Sequence, residues 1–428
     1  MRTVSKTVIG VDFGTQSARA VLVNAENGEI IYSCRKEYPY NSTPVPAIDC
    51  AENLPCATDY EMTLYELLRN VIPEEYRKTV AGICVDATSL TMVLLAEDGR
   101  ALSELDGWSE AAHARVKLWK YHRAQEKADE ALNLARNLQE PFLGRTGGSI
   151  SCEWMLPKLL EVRDEAPEIY SKIDLAMDLC EFLTFRLTGQ LVRSIGSLSY
   201  KCLWAEDLSF PERTFLNGLR AGFYEEYCHF LRGDVRKLGE CAGVLRSELT
   251  KRWGLPEQIP VATGMLDGHT SLATMGAFEP GDAALIVGTS NVCTVQDRKL
   301  QELKDVCGVA QDGMVTGSCG IDTGQSSTGN MLGWFVEHMA GWQIHREAEE
   351  RKISPHQVLA ERIQKPWENK VIAVDWWSGS RNAPCDLTLR GSMSGLEMDT
   401  KTEDIYLALL QAIACGTGTI LESLSGQG

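Results

Sequence analysis

An alternation of apolar runs and short polar turns near the start of the chain predicts a β-hairpin. Apolar residues 8–11 precede Asp12, the turn sequence Gly14-Thr15-Gln16-Ser17 follows, and residues 18–23 form a second, mostly apolar run. This order is typical of two strands joined by a tight turn. Gly14 allows a close approach to the backbone, so the amides and hydroxyls of the turn can bind phosphate, and Asp12 is suited to a metal ion.

The same pattern occurs again near residue 288. Residues 284–287 are apolar, Gly288-Thr289-Ser290 forms the turn, and a second strand-like run covers residues 291–295. One Gly-Thr-Ser turn alone is common in hairpins that bind nothing, but two copies in the same order favour a duplicated fold that binds one nucleotide from two sides. Only the first copy has an aspartate, since Val287 occupies the matching place, and this suits a single magnesium nucleotide.

Between and after these hairpins, predicted strands alternate with predicted helices, which indicates an α/β fold. A strand is predicted over residues 80–86, and an Asn27-Gly28 pair predicts a tight turn. Helical spacing or composition predicts helices over residues 60–72, 112–136, 153–162, 179–187 and 403–424. Pro256 and Pro260 flank a short polar run, and the predicted domain boundary lies there, between residues 1–257 and 258–428.

Composition excludes several classes of partner. The chain has 428 residues, 44% of them hydrophobic and 24% charged, which is ordinary for a soluble protein of two or more domains. Its net charge of −17 argues against nucleic acid and anionic membranes as partners. The 14 cysteines show no paired metal-binding spacing and many lie in apolar runs, so we expect free thiols in a reducing cytoplasm. No N-terminal apolar run is long enough for a signal peptide or a membrane span.

A candidate catalytic carboxylate follows the predicted boundary. The sequence Thr263-Gly264-Met265-Leu266-Asp267-Gly268-His269 places Asp267 at the end of an apolar strand and just before a helix. One interpretation is a helix N-cap, which is a common role for aspartate. The alternative is a general base that takes a proton from a substrate hydroxyl in a cleft. The position of Asp267 beside the second hairpin favours the base.

These segments, in this order, resemble the FGGY carbohydrate kinases and, within that family, the ribulokinases. Further motifs extend the resemblance over the whole chain: residues 117–120, 151–154, 200–204, 322–326 and 375–381. Family membership implies an actin-like fold, with two ribonuclease-H-like α/β domains around a central cleft that closes on ATP and a sugar. The sugar and phosphate sites would lie mainly in the first domain and the nucleotide in the second.

The resemblance also implies a role for individual residues. Asp267 is the general base and also contacts the sugar, a ketopentose such as ribulose. Asp12 holds Mg²⁺, Gly14, Thr15 and Gln16 face the terminal phosphate of ATP, and Gly288 with Thr289 forms the second phosphate loop. The remaining substrate-binding residues are Ser89, Trp119, Lys201 and Asp322. From the residues alone, Ser89 could equally be a turn residue and Trp119 a core residue of an amphipathic helix.

Two departures from the family pattern qualify this assignment. The Trp-x-Asp-x-Arg element of many relatives is replaced by Trp119-Lys120-Tyr121-His122-Arg123, which lacks the acid. This departure argues against a glycerol kinase or a typical xylulokinase and fits the ribulokinase branch better. The glycine-rich segment that holds adenosine in the family is expected beyond residue 428, so we expect the second domain to be incomplete. The last helix has apolar side chains such as Leu409 and Leu421, and we expect these to need a further surface to pack against.

Other functions remain open at this point. An FGGY kinase for xylulose or ribitol would share these motifs, as would a non-catalytic nucleotide-binding protein of the actin fold, although the latter needs no sugar base. A dinucleotide-binding oxidoreductase is disfavoured because the first hairpin lacks Gly-x-Gly-x-x-Gly. The sequence leaves the oligomeric state open, a homodimer included.

Overall fold

The computed structural model describes residues 5–38, 54–381, 386 and 388–427. The strands, in chain order, are β1 (Thr7–Phe13), β2 (Ser17–Asn24), β3 (Ile30–Glu37), β4 (Val80–Ala87), β5 (Met92–Leu95), β6 (Leu175–Asp178), β7 (Val192–Ser194), β8 (Asp234–Arg236), β9 (Cys241–Val244), β10 (Pro260–Ala262), β11 (Met265–Leu266), β12 (Ala283–Val287), β13 (Asn291–Asp297), β14 (Gly308–Gln311), β15 (Cys319–Gln325), β16 (Ile372–Val374) and β17 (Ser392–Ser394).

The helices are α1 (Ala57–Val71), α2 (Gln125–Leu138), α3 (Met155–Glu165), α4 (Pro167–Tyr170), α5 (Leu179–Thr188), α6 (Ile195–Lys201), α7 (Arg213–Leu219), α8 (Phe223–Phe230), α9 (Ser247–Trp253), α10 (Thr270–Met275), α11 (Gly329–Met339), α12 (Gly341–Arg351), α13 (Pro355–Arg362) and α14 (Thr402–Gln427). The α/β expectation is therefore confirmed, and the predicted helices over residues 60–72, 153–162, 179–187 and 403–424 are confirmed to within three residues at each end.

A mixed sheet forms the core of the first half. Its strand order is β3-β2-β1-β4-β10-β9, and β11 also pairs with β4. β1 runs antiparallel to β2 but parallel to β4, and β11 is parallel to β4 as well. The buried residues of β1 alternate with less buried ones, and this apolar face packs with α1 and α5 in one hydrophobic core. Because β1, β4 and β11 are parallel neighbours, the residues at their carboxyl ends meet at one edge of the sheet.

The second half is built on an antiparallel sheet with strand order β12-β13-β15-β14. β12 and β13 form the second predicted hairpin, and β15 lies beside β13 along its full length. β10 and β11, which follow residue 258, pair with β4 in the first sheet. The division at residues 257/258 itself stays a prediction.

The predicted helix over residues 112–136 is wrong in its first half. The chain is helical only from Gln125, and the preceding residues form turns. The backbone of Lys117 instead exchanges two hydrogen bonds with Met92, N to O at 3.1 Å and O to N at 2.9 Å. A backbone that is paired in this way with β5 cannot also form helical hydrogen bonds, so tertiary pairing overrides the local propensity.

The last helix, α14, contacts α11, α13, β15 and β16 along one side. The expectation that Leu409 needs a further surface is wrong, because Leu409 is fully buried there, whereas Leu421 is 43% exposed. By length and composition alone α14 is apolar enough to cross a membrane, and in the structure one side of it packs against α11, α13, β15 and β16.

Candidate active site

A cavity of about 630 Å³ lies between the two halves of the molecule. Eight of the predicted site residues line it: Thr15, Ser89, Trp119, Lys201, Asp267, Gly288, Thr289 and Asp322. The other three, Asp12, Gly14 and Gln16, belong to the first hairpin but are not part of the cavity wall. The cavity is within the usual size range of small-molecule sites.

The first hairpin reaches the cavity through its turn. The amide of Gly14 donates to the carbonyl of Ser17 at 3.1 Å, which closes the turn, and the hydroxyl of Tyr38 donates to the carbonyl of Gly14 at 2.8 Å. Trp119 Nε1 donates to Thr15 Oγ1 at 3.1 Å. The indole of Trp119 therefore joins the phosphate-type turn to the rest of the cavity wall and is not merely a core side chain.

Three aspartates meet at the edge of the first sheet. Asp12 and Asp86 are directly paired in the β1–β4 register, and Asp267 follows β11, whose Met265 is paired with Asp86. Burial, and then the neighbouring Asp12 carboxylate, raises the pKa of Asp86 well above its usual range. The sequence reasoning missed Asp86. Its signal was the same as that of Asp12, an aspartate near the end of an apolar strand.

The donor set at this edge fits a magnesium ion. Carboxylate oxygens are the protein ligands that Mg²⁺ prefers, and a dication would offset the mutual repulsion that raises the pKa of Asp86. Asp12, whose side chain is 40% exposed, is the accessible member. Within the described residues no three His, Cys, Asp or Glu side chains already surround a metal position. Mg²⁺ usually keeps several waters and binds through one or two carboxylates together with substrate phosphates.

Asp267 begins a short 3₁₀ turn, and its carboxylate accepts from the Gly268 amide at 2.6 Å. The following helix, α10, has His269 as its N-cap position and receives no side-chain cap from Asp267. Burial, with a further contribution from the Asp12 carboxylate, raises the pKa of Asp267. These observations disfavour the N-cap interpretation, and the raised pKa is that expected of a carboxylate suited to proton transfer.

A buried ion pair joins the two halves across the cavity. Lys201 at the end of α6 donates to Asp322 Oδ2 of β15 at 2.9 Å, and the two residues are only 5% and 7% exposed. His269 Nε2 lies 3.4 Å from the same oxygen. Burial alone would raise the pKa of Asp322, but Lys201 and His269 hold it well below its usual range, and Asp322 in turn raises the pKa of Lys201 against the effect of burial.

A second charged pair in the wall was not assigned a role from the sequence. Arg381 donates to Glu153 Oε1 at 2.5 Å, and His122 Nε2 lies 2.9 Å from the same oxygen. Burial would raise the pKa of Glu153, but Arg381 and His122 lower it to about 2. The Arg381 guanidinium also lies 6.0 Å from the centre of the Trp119 ring. Glu153 and Arg381 are 228 positions apart, so sequence spacing gave no sign that they meet.

The second hairpin turn is held by the start of α11. The amide of Gly329 donates to the carbonyl of Gly288 at 3.0 Å, and the amide of Thr328 donates to the carbonyl of Thr289 at 3.1 Å. A Cβ on Gly329 would lie 2.5 Å from the Gly288 carbonyl oxygen, so only glycine permits this approach. The turn is thus fixed by backbone contacts while Gly288 and Thr289 face the cavity.

Lys158 lies behind the cavity wall and connects two of its segments by hydrogen bonds. Its fully buried ammonium donates to the carbonyls of Leu90 at 2.6 Å, Leu118 at 2.9 Å and Lys117 at 3.3 Å. Leu90 has a φ of 63°, a strained value for leucine, and its amide donates to Asp178 Oδ2 at 3.1 Å. Leu90 follows Ser89 and Leu118 precedes Trp119, so Lys158 fixes the two wall segments relative to each other.

Comparison with known proteins agrees with this geometry. Residues 7–274 match the N-terminal domain of the FGGY family of carbohydrate kinases, and residues 283–428 match its C-terminal domain. The chain belongs to the FGGY carbohydrate kinases. A ribulokinase of Halalkalibacterium halodurans is 34% identical over 99% of this chain and 77% of its own length. A ribulokinase of Mycolicibacterium smegmatis is 36% identical over the same shares.

Solved structures with this FGGY fold cover nearly the whole chain. A xylulose kinase of Rhodospirillum rubrum gives a TM-score of 0.74 at 20% identity, covering 99% of this chain and 80% of that one. A glycerol kinase of Plasmodium falciparum with ADP gives 0.76 at 16% identity, covering 99% and 79%. At these identities the likeness concerns the fold, and it confirms the predicted two-domain, actin-like architecture.

Proposed function

We propose that this protein transfers the terminal phosphoryl group of ATP to a ketopentose, with ribulose as substrate and ribulose 5-phosphate as product. The observation that carries the proposal is that Asp267, the turns of both hairpins and the Lys201–Asp322 pair meet at one cavity. Relatives named ribulokinase, at 34–36% identity over nearly the whole chain, support the choice of ribulose.

The wall divides into a sugar side and a phosphate side. Ser89, Trp119, Lys201 and Asp322 bind the sugar, whose hydroxyls match the hydroxyl, indole and charged groups offered there. On the phosphate side, Gly14, Thr15 and Gln16 face the terminal phosphate, and Gly288 with Thr289 forms the other phosphate loop. Asp12, with Asp86 beside it, would hold Mg²⁺, which neutralises phosphate charge when bound.

Asp267 is the general base of this proposal. Its carboxylate accepts the proton of the terminal sugar hydroxyl as that oxygen bonds to phosphorus, and ADP leaves from the opposite side. The Gly268 amide, 2.6 Å from the carboxylate, fixes the orientation of the base. Phosphoryl transfer depends mainly on alignment of the reacting groups and neutralisation of phosphate charge. One general base between two phosphate-binding turns is therefore sufficient for the reaction.

The proposal includes the cellular setting. The protein binds a small sugar and a nucleotide in the cytoplasm, and it binds neither nucleic acid nor a membrane. A homodimer is one oligomeric state that measurement of the molecular mass would test. The strongly acidic chain, with a net charge of −17, supports the exclusion of nucleic acid.

Sugar-dependent ADP release tests the proposal. The panel contains L-ribulose, D-ribulose, D-xylulose, ribitol and glycerol, each with MgATP. We expect a ribulose to give the largest kcat/KM, and Asp267→Asn to reduce the stimulated rate by about 10²–10⁴-fold. Asp106→Asn, which changes an exposed aspartate, is the matched control and should retain it. ATP binding with no sugar stimulation would instead favour a non-catalytic nucleotide-binding protein, and preference for xylulose or ribitol would overturn the choice of ribulose.

A further inference from the structure

The ion pair between Arg381 and Glu153 connects the two halves of the molecule at the wall of the active-site cavity. Arg381 Nη2 donates to Glu153 Oε1 at 2.5 Å, and both side chains line the cavity. Lys201 and Asp322 form another such pair, with the cation on the first half of the chain instead of the second. The cavity is therefore lined by two ion pairs of opposite polarity, to which each half supplies one cation and one anion.

Arg381 and Glu153 retain hydrogen-bonding groups that their own contact does not use. Within the part of the chain that the structure describes, Nε and Nη1 of Arg381 donate to no acceptor, and Oε2 of Glu153 accepts from no donor. None of these atoms belongs to the fully enclosed polar atoms of that part of the chain, and the two side chains are 23% and 8% exposed. Because both residues line the cavity, these donors and this acceptor are available to a molecule bound there.

The pair lies on the sugar side of the cavity. The Arg381 guanidinium is 6.0 Å from the centre of the Trp119 ring. Burial would lower the pKa of Arg381, but the carboxylates of Glu153 and Asp322 raise it. By contrast, the carboxylate that raises the pKa of the proposed general base, after burial itself, is Asp12 of the first hairpin. Arg381 and Glu153 therefore share their surroundings with the proposed sugar-binding residues, and the general base shares its surroundings with the phosphate side.

The chemistry of a ketopentose fits such a pair. In the furanose form the oxygen at C5 is part of the ring, so only the open chain offers a terminal hydroxyl for phosphoryl transfer. The open chain has a free ketone at C2 next to a hydroxyl at C1. A ketone oxygen only accepts hydrogen bonds, whereas a hydroxyl can donate one. A guanidinium only donates and an ionised carboxylate only accepts, so a neighbouring guanidinium and carboxylate match these two oxygens.

We propose that Arg381 and Glu153 bind the carbonyl end of the ketopentose, with Arg381 donating to the ketone oxygen at C2 and Glu153 Oε2 accepting from the hydroxyl at C1. This inference rests on the proposed kinase function. It adds two substrate-binding residues to the site, at the end of the sugar opposite the hydroxyl that is phosphorylated. The pair thereby selects substrates that have an oxygen at both positions.

Steady-state ADP release with two substrate analogues tests the proposal. The substrates are ribulose, 1-deoxyribulose, which lacks the hydroxyl at C1, and 2-deoxyribitol of matching configuration, which lacks the oxygen at C2. Loss of a hydrogen bond to a charged group predicts that the wild-type kcat/KM for ribulose exceeds that for each analogue by about 10–100-fold. Equal values for ribulose and either analogue would overturn the proposal, and this result requires no variant to fold.

Variants then assign each contact to its residue. Arg381→Met should reduce the ratio of kcat/KM between ribulose and 2-deoxyribitol to within about threefold, whereas a merely structural role would lower both values and leave their ratio unchanged. Arg381→Lys keeps a cation beside Glu153 but loses the planar fork of the guanidinium, so it should melt close to the wild type and still lower this ratio. Glu153→Gln should lower the ratio between ribulose and 1-deoxyribulose by about tenfold, because a charged acceptor becomes a neutral one. Arg298→Met changes an exposed arginine outside the cavity wall and is the matched control, which should keep both ratios.

The failure of this inference differs from the failure of the proposed function. Sugar-stimulated ADP release by the wild type, with the ratio between ribulose and 2-deoxyribitol unchanged in Arg381→Met and Arg381→Lys, would overturn the inference and leave the kinase function standing. No stimulation of the wild type by any sugar would overturn both.

Discussion

The Lys201–Asp322 pair allows structural and functional roles to be separated. Replacing Lys201 with Met leaves the Asp322 carboxylate buried at 7% exposure without its ammonium partner. Removing one member of a buried pair costs about 3–5 kcal/mol. Since His269 lies 3.4 Å from the same oxygen, we expect the lower end of this range. For a domain of 150–250 residues, about 3 kcal/mol corresponds to a melting temperature lower by roughly 6–12 °C.

The double variant Lys201→Met/Asp322→Asn is the control. It removes both charges and should recover most of the melting temperature, because no uncompensated charge stays buried. If Lys201 also binds the sugar, the ribulose KM of both variants stays raised by about tenfold or more, as expected for loss of a charged hydrogen bond. The reasoning is refuted if the single variant melts like the wild type, or if the double variant regains a normal KM along with its stability.

Four further outcomes are expected. Asp267→Asn should lower kcat by about 10²–10⁴-fold with a modest change in sugar KM; a variant within a few fold of wild type would assign Asp267 a structural role. Because burial raises the pKa of Asp267, the acid limb of the pH profile of kcat/KM should have an apparent pKa above the ordinary aspartate value of about 3.9. The Asp12 carboxylate adds to this rise, so Asp12→Asn should lower the apparent pKa of that limb. A limb that does not move would contradict this prediction. Lys158→Met removes three hydrogen bonds from the segments that carry Ser89 and Trp119 and should raise sugar KM more than it lowers kcat, and equal effects on both would argue against positioning. Because its pKa is lowered to about 2, ionised Glu153 should stabilise the fold above about pH 4.5, and this contribution should be lost as the pH falls toward 2. The difference in melting temperature between the wild type and Glu153→Gln should therefore shrink over that pH range. A difference that stays constant would refute this prediction.

The features predicted from sequence were those set by local pattern. Each hairpin is a continuous run, residues 7–24 and 283–297, whose apolar alternation and glycine turn specify it without reference to the rest of the chain. Asp267 could be found in the same way, because it follows directly on a short apolar strand. The implied roles of Lys201 and Asp322 came from a family resemblance, and the contact between them is a property of the structure.

The features that could not be predicted depend on contacts between distant segments. Arg381 and Glu153 belong to different halves of the chain, and their spacing of 228 positions carries no periodic signal. The helix expected over residues 112–136 failed for a related reason, since pairing of Lys117 with Met92 outweighs local helix propensity. Asp86 was different, because its pattern was visible, but its importance depends on the strand order that places β4 beside β1.

The central claim is phosphoryl transfer from ATP to the terminal hydroxyl of a ketopentose, and the most direct test is identification of the product by ³¹P NMR. The protein is incubated with MgATP and ribulose, and with Asp267→Asn as the matched reaction. The account predicts a phosphomonoester signal coupled to the protons of the terminal carbon, growing at the rate of ADP formation, and growing about 10²–10⁴-fold more slowly with the variant. ADP with inorganic phosphate and no sugar phosphate, or an equal rate of sugar phosphate formation by Asp267→Asn, would contradict it.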